Sequence, residues 1–335
     1  MNTKTIEALV RLGDYIASMP TELEEKVEEA FLRNRWFTPE NTKFALVSLS
    51  EKMLQKDELE EWLRHYQFPE IQQGKNVGLI MAGNLPLVGF HDFLSVLVSG
   101  HRALIKASSK DPVLLPFLLN KLESLDAGIK NRYSFVERLS DFDAVIATGS
   151  NNSSRYFEYY FGRYPHIIRK NRNSVAVITG DEREEELLSL GDDIFRYFGL
   201  GCRNVSKLYL PEGYDPARIL DAMEAFQEII RHDKYRNNYD YHRSLYLLND
   251  TPHLASDFLM LVENEAIASP MAALHYEYYK DKASLKGSLA MHSHEIQIVV
   301  SKDPETGDVA PGESQTPGLL DYADKVDTMD FLLQL

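Results

Sequence analysis

From Asn76 onward the chain alternates short apolar runs with helix-period segments, and no other feature constrains its fold as strongly. Val77-Gly78-Leu79-Ile80-Met81-Ala82 reads as a buried strand. Residues 87–98 read as a helix with Gly100 as its stop, and Ala103-Leu104-Ile105-Lys106-Ala107 reads as a second strand. The same spacing predicts a helix over 113–125, strands over 133–136 and 144–147, a helix over 153–161 and a strand over 174–178. Strands that are apolar throughout are buried on both faces, which requires helices on both sides of a parallel sheet.

A second α/β block follows. It carries a helix ending near Phe198, a strand over 207–210, a helix over 215–230, and strands near 244–248 and 295–300. The charge run Glu182-Arg183-Glu184-Glu185-Glu186 precedes Leu187, Leu188 and Leu190, so it reads as the solvated first turn of a helix. Before residue 69 the pattern is helical throughout. Thr21-Glu22-Leu23-Glu24 resembles a capping box, and Thr38-Pro39 places proline at a first helical position. Residues 301–318 are rich in Pro, Gly, Asp and Ser and read as an extended arm, with an apolar end over 330–335 that should dock. The expected division is residues 1–182 for a helical layer with a nucleotide-binding domain, 183–300 for a smaller α/β domain, and 301–335 for a C-terminal arm.

The chain has 335 residues, enough for two domains, and 44% apolar content supports packed cores. A formal net charge of −15 argues against a nucleic-acid partner, which needs clustered Lys and Arg, but allows a locally basic nucleotide pocket. There is no signal-peptide pattern and no membrane-length apolar run, and a single cysteine suits a reducing compartment, so the expected location is cytoplasmic. No Gly-x-Gly-x-x-Gly and no Walker lysine is present. His292-Ser293-His294 offers two metal ligands at most, with no third at metal-site spacing, so no metal is expected. The run over 235–246 interleaves Tyr with Arg, which suits either an acyl or CoA entrance or a packed subunit contact.

That cysteine, Cys202, ends the run Gly199-Leu200-Gly201-Cys202 between a helix and the apolar segment Leu208-Tyr209-Leu210. Glycines let backbone approach a reacting atom closely. Backbone N–H groups and a positive helix end lower a thiol pKa toward neutrality. Taken alone, a lone cysteine is more often a small buried apolar residue.

Four motifs change that balance. Gly83-Asn84-Leu85-Pro86 closes the first strand, Lys106-Ala107-Ser108-Ser109 the second, and Thr148-Gly149-Ser150 the strand at Ala147; Gly199-Leu200-Gly201-Cys202 comes last. This order resembles the aldehyde dehydrogenase superfamily, and more specifically the acyl-CoA reductases of the LuxC type. Ala147-Thr148-Gly149-Ser150-Asn151 and the closing Gln315-Thr316-Pro317, Asp321-Tyr322-Ala323-Asp324 and Asp327-Thr328-Met329 add to the likeness. The resemblance runs from about Asn76 to the C-terminus and implies an aldehyde-dehydrogenase-like fold, with a Rossmann-like cofactor domain, a smaller catalytic domain and the arm. It implies Cys202 as nucleophile on an acyl-CoA substrate, and Asn84 with the Cys202 N–H as holders of the thioester oxygen. Lys106 would bind the adenine-side ribose, and Gly149 and Ser150 would open a helix toward the cofactor pyrophosphate. Ser108 and Ser109, with Lys106 and Lys110, suit a 2′-phosphate, so NADPH is expected to bind at least as well as NADH.

The chain departs from the superfamily in places. The glutamate that activates water in oxidising members corresponds to Ile168-Arg169-Lys170-Asn171-Arg172-Asn173-Ser174, which has no carboxylate, and a reductase has no use for that base. Leu200 and Ala107 replace the glutamine and proline of the usual motifs. The expected reaction is NAD(P)H-dependent reduction of a fatty acyl-CoA to the aldehyde. Two alternatives stay open: acyl transfer or thioester hydrolysis on the same cysteine, and a non-catalytic subunit of a fatty-acid-processing partner enzyme. Self-association is compatible with all three.

Overall fold

Among the described residues, four helices precede the first strand: α1 (Thr3–Ala17), α2 (Thr21–Arg33), α3 (Pro39–Met53) and α4 (Lys56–Arg64). Thr38 caps α3 by accepting the Asn41 N–H, and Pro39 takes the first helical position. The expected Thr21 capping box does not form. Thr21 is already helical, Pro20 is the N-cap, and its carbonyl accepts the Leu23 and Glu24 N–H groups. The computed structural model describes residues 3–69 and 74–335.

The alternating segment becomes β1 (Asn76–Ile80), α5 (Phe90–Val98), β2 (Arg102–Lys106), α6 (Leu114–Leu125), β3 (Tyr133–Phe135), β4 (Ala144–Thr148), α7 (Asn151–Phe161) and β5 (His166–Arg169). All five strands are parallel, in the order β3-β2-β1-β4-β5. Val77, Leu79 and Ile105 pack with Phe93 and Leu97 of α5 and Leu118 and Leu122 of α6, and Leu9 and Leu12 of α1 join that core. Fully burying each such side chain contributes about 1.5–3 kcal/mol, so the N-terminal helices are part of this unit's stability.

The rest of the chain forms β6 (Asn173–Val177), α8 (Glu184–Phe195), β7 (Val205–Pro211), α9 (Ala217–Met223), α10 (Asp233–Leu248), β8 (Leu254–Ala255), β9 (Met260–Glu263), β10 (Ala273–Tyr279), α11 (Lys282–Met291), β11 (Ile296–Val300) and α12 (Thr328–Leu333). The second sheet has the order β11-β6-β7-β10-β9-β8, parallel except for β8. Ala176, Leu208, Leu210, Leu261 and Val300 supply its core with Leu190 of α8 and Ile219 of α9.

Contacts divide the chain into residues 1–171 with 316–335, and residues 172–315. The expected boundary at 182/183 therefore moves to 171/172, because β6 pairs with β7 and β11 rather than with the first sheet. The expected arm is also divided. Val309 bridges Val300 beside the second sheet. Farther on, Met329 and Leu332 of α12 enter the first unit's core. There the Tyr322 hydroxyl receives the Trp62 indole N–H at 2.6 Å and meets the Tyr66 hydroxyl at 2.7 Å. The strand expected over 244–248 is instead the end of α10, which buries Tyr235 and Tyr239 at helical i, i+4 spacing.

Candidate active site

Three of the four motif loops leave one edge of the first sheet. Ile80 of β1 lies opposite Lys106 of β2 and Ala147 of β4, so the segments after these parallel strands emerge together at their carboxyl ends. β1 is flanked by β2 on one side and β4 on the other, which is where the strand order reverses and where open parallel sheets bind ligands. Gly83 is required here. A Cβ on it would lie 2.4 Å from the Ser108 Oγ and 2.6 Å from its Cβ, so only glycine lets the Asn84 and Ser108 loops touch. Lys106 and Ser109 are exposed at this edge, and the Ser108 Oγ accepts the Lys110 N–H at 3.2 Å. Asp111 turns inward instead. It is buried, accepts the Leu87 N–H at 2.9 Å, and burial pushes its carboxyl up to about 6.

Beyond β4, a Cβ on Gly149 would meet the Phe157 ring at 2.8 Å and the Ser153 Cβ at 2.9 Å, so glycine lets the strand turn straight into α7. The Ser150 hydroxyl caps that helix, accepting the Ser153 N–H at 3.3 Å. Arg169, at the end of β5, braces the same edge. Its guanidinium forks onto Asp92 of α5 at 2.6 and 2.8 Å, donates to Thr328 Oγ1 at 2.9 Å, and reaches Thr148 Oγ1 at 3.5 Å. A buried bidentate pair of this kind fixes geometry more than it adds stability.

The fourth motif lies in the second unit, between α8 and β7. After Phe195 the backbone leaves the helix through Tyr197 (φ 55), Phe198 (φ 60) and Gly199 (φ 73), three successive left-handed residues of which two are bulky aromatics. Non-glycine residues held there cost about 1–3 kcal/mol each and concentrate at functional sites. Gly201-Cys202-Arg203-Asn204 then forms a reciprocally closed turn. The Asn204 N–H donates to the Gly201 carbonyl at 3.2 Å, and the Gly201 N–H donates to Asn204 Oδ1 at 2.8 Å. The Asn204 amide also donates to the carbonyls of Asp193 at 3.0 Å and Arg196 at 2.8 Å, tying the turn to the end of α8. From β6, the Ser174 hydroxyl donates to the Cys202 carbonyl at 3.0 Å. Cys202 itself is half-buried. α8 points its carboxyl end at this turn, so it does not supply the positive helix end that the sequence reading invoked.

A network from the 301–315 segment steadies α8. Asp193 is buried and accepts the Gly312 N–H at 2.6 Å and the Ser314 N–H at 2.9 Å, and burial pushes its carboxyl up to about 6. Beside the Cys202 turn is a cavity of about 260 Å³ that Phe198, Gly199 and Leu200 help to wall. Among the described residues no group of three or more His, Cys, Asp and Glu side chains could hold a metal, and His292 pairs with Glu295 at 3.0 Å.

A family model described as acyl-CoA reductase (LuxC) matches residues 15–224, more than half of the chain. The chain belongs to the LuxC family of acyl-CoA reductases. Solved aldehyde dehydrogenases share the fold of this LuxC-family chain. Aldehyde dehydrogenase 21 from Physcomitrella patens, solved with its product succinate, superposes with a TM-score of 0.72 at 11% identity, covering 99% of this chain and 83% of that one. An aldehyde dehydrogenase from Bacillus cereus in complex with NAD⁺ gives 0.63 at 13% identity, covering 90% and 72%. A mutant aldehyde dehydrogenase C from Pseudomonas syringae, with NAD⁺ and octanal, gives 0.63 at 12% identity, covering 91% and 74%. No curated protein matches the sequence. Family and fold together support an oxidoreductase acting on acyl or aldehyde groups. Among the described residues no helix is long and apolar enough to cross a membrane.

The structure thus puts Asn84, Lys106, Ser108, Ser109, Gly149 and Ser150 at one sheet edge, and Cys202 in a braced turn of the second unit. Sequence reasoning missed Asn204 and Ser174. An Asn two residues past the cysteine was the available signal, since Asn side chains commonly close local turns.

Proposed function

We propose that this LuxC-family protein reduces an acyl-CoA to its aldehyde through a thioester on Cys202: acyl-CoA + NAD(P)H + H⁺ → aldehyde + CoA + NAD(P)⁺. The observation that carries the reading is the Cys202 turn, closed by Asn204 and anchored by Ser174, in a chain of an acyl-CoA reductase family. Cys202 Sγ attacks the thioester carbonyl, a new thioester forms, and CoA leaves as the thiol. The family resemblance assigns to Asn84 the role of donor to the carbonyl oxygen as negative charge develops there.

The first sheet's edge fits a nicotinamide dinucleotide. Gly83 and Gly149 leave space that a Cβ would fill, and Ser150 opens α7 toward that edge. Lys106, Ser108, Ser109, Gly149 and Ser150 would hold the cofactor. When bound, it supplies the hydride that converts the thioester to aldehyde and frees the cysteine. Asp111, the only carboxylate soon after Lys106, is buried on the Leu87 N–H, so the serine hydroxyls meet a 2′-phosphate without a facing negative charge. NADPH therefore binds at least as well as NADH.

Hydrolysis is slow because 168–174 offers no carboxylate, and Arg169 in that stretch is committed to Asp92. Intact-mass spectrometry after mixing with acyl-CoA tests the proposal. An acyl adduct in the wild type, absent in Cys202→Ala, is the expected result. An undiminished adduct in Cys202→Ala would overturn it.

A further inference from the structure

We infer that Asp111 is a positioning residue for Asn84: by accepting the Leu87 N–H it fixes the loop that carries Asn84 at the carboxyl edge of the first sheet. The inference rests on the acyl-enzyme reading above, in which Asn84 is the donor to the thioester oxygen. Residues 84–86 are held between two contacts with one neighbouring loop. On one side, Gly83 lies so close to Ser108 that a Cβ would come within 2.6 Å of the serine Cβ. On the other, Asp111 Oδ2 accepts the Leu87 N–H at 2.9 Å. The loop that makes both contacts is itself tied down. The Asp111 N–H donates to the Ser108 carbonyl at 3.2 Å, the Lys110 N–H to Ser108 Oγ at 3.2 Å, and the Asn34 amide to the Lys110 carbonyl at 3.1 Å. Between the two contacts Pro86 is buried, and its ring fixes one of the few torsions left. Asn84 has little freedom while both contacts hold.

Leu87 makes the Asp111 contact the decisive one. Its backbone is left-handed (φ 58), a costly conformation for leucine, and its carbonyl accepts the Phe90 N–H at 2.9 Å where α5 begins. Helix capping does not account for Asp111. Val113 is the N-cap of α6, without a side-chain cap bond, although the Leu114 N–H faces the Asp111 carboxylate. Stability does not account for it either. Asp111 is 7% exposed and its Oδ1 is buried without a hydrogen-bond partner, so the carboxyl loses hydration that its bond to Leu87 does not return. Among the described residues no charged group moves that carboxyl; burial and the two N–H groups do. What the loop uses is therefore an acceptor oxygen rather than a charge.

The test measures the rate of Cys202 acylation by one acyl-CoA, without cofactor, by intact mass on the full chain. Wild type is compared with Asp111→Ala, Asp111→Asn, Asn84→Ala and the double variant Asn84→Ala/Asp111→Ala. Asn84→Ala should slow acylation about a hundredfold, the scale of one lost oxyanion donor. Asp111→Ala should slow it at least about tenfold, because a donor misplaced by an ångström loses most of its effect. Asp111→Asn keeps an acceptor for the Leu87 N–H and drops the charge, so it should acylate within about threefold of wild type. In the double variant the Asp111 change should add less than about twofold to the Asn84 change, because nothing is left to position. A merely structural role would slow acylation equally in both backgrounds. If Asp111→Ala fails to fold, Asp111→Ser, whose shorter side chain withdraws the acceptor from Leu87, takes its place. A wild-type rate in Asp111→Ala, an Asp111→Asn as slow as Asp111→Ala, or effects that multiply in the double variant overturn the inference and leave the acyl-enzyme reading standing. A wild-type rate in Asn84→Ala does the same. The absence of an adduct in the wild type overturns that reading and this inference with it.

Discussion

Removing the Asn204 side chain tests whether the nucleophile turn is built as described. Asn204 is 2% exposed and makes three well-formed side-chain bonds, with the Gly201 N–H at 2.8 Å and the Asp193 and Arg196 carbonyls at 3.0 and 2.8 Å. A longer contact reaches the Ile194 carbonyl at 3.4 Å. In Asn204→Ala these buried groups lose their partner. At about 1 kcal/mol net per bond, and more for each group left unsatisfied, the loss is about 3 kcal/mol at the low end. Total stabilities are only about 5–15 kcal/mol, so this is a large fraction. Hydrogen exchange resolves it locally. Amides of β7, which the turn feeds, should exchange about two orders of magnitude faster, while those of β1 in the other unit should change far less. Cys202 acylation should slow in parallel. A change in β7 exchange below about tenfold would refute the reasoning, because the bonds would then add less than about 1.4 kcal/mol, under half of the expected loss.

Gly83→Ala should leave folding largely intact but raise the KM for NADPH, since its Cβ would displace the Ser108 loop; steady-state kinetics at fixed acyl-CoA checks this. Asp193 should give the second unit a distinctive pH dependence. Burial raises its folded value from the ordinary 3.8 to about 6, so the folded state holds the proton more tightly. Its contribution is therefore fully present below about pH 4 and is lost as pH rises through 6. Asp193→Asn should flatten that slope in urea midpoints taken between pH 4 and 7, and an unchanged slope would count against it. For the cofactor, kcat/KM with NADPH should equal or exceed that with NADH on one acyl-CoA. A tenfold preference for NADH, about 1.4 kcal/mol, would contradict the Ser108-Ser109 reading.

The first sheet was legible because β1, β2 and β4 are continuous apolar runs, and such runs are stable only between helices. The motif loops were legible because Gly83 and Gly149 mark close approaches and Gly199 a left-handed turn. β5 was not, since His166-Ile167-Ile168-Arg169 is too short and too charged at its ends to stand out; its pairing with β4 makes it a strand. The domain boundary was misplaced for a related reason. β6 follows β5 closely in sequence, and only its hydrogen bonds to β7 and β11 assign it to the second sheet. The strand expected over 244–248 was a misreading because Leu245, Tyr246 and Leu247 favour strands locally, whereas burial of Tyr235 and Tyr239 on one face selects the helix. Asn204 carried only the weak signal of a local turn with Gly201, and Ser174 and Asp193 were invisible because they work through backbone groups distant in sequence.

The most direct test of the central claim is a single turnover of preformed acyl-enzyme with NADPH deuterated at nicotinamide C4. Acyl-CoA is added first, free CoA is removed, and the adduct on Cys202 is verified by peptide mass before the cofactor is supplied. The account requires loss of the adduct together with release of an aldehyde carrying one deuterium at its carbonyl carbon. Release of unlabelled fatty acid, or an adduct that persists through the addition of cofactor, would contradict it.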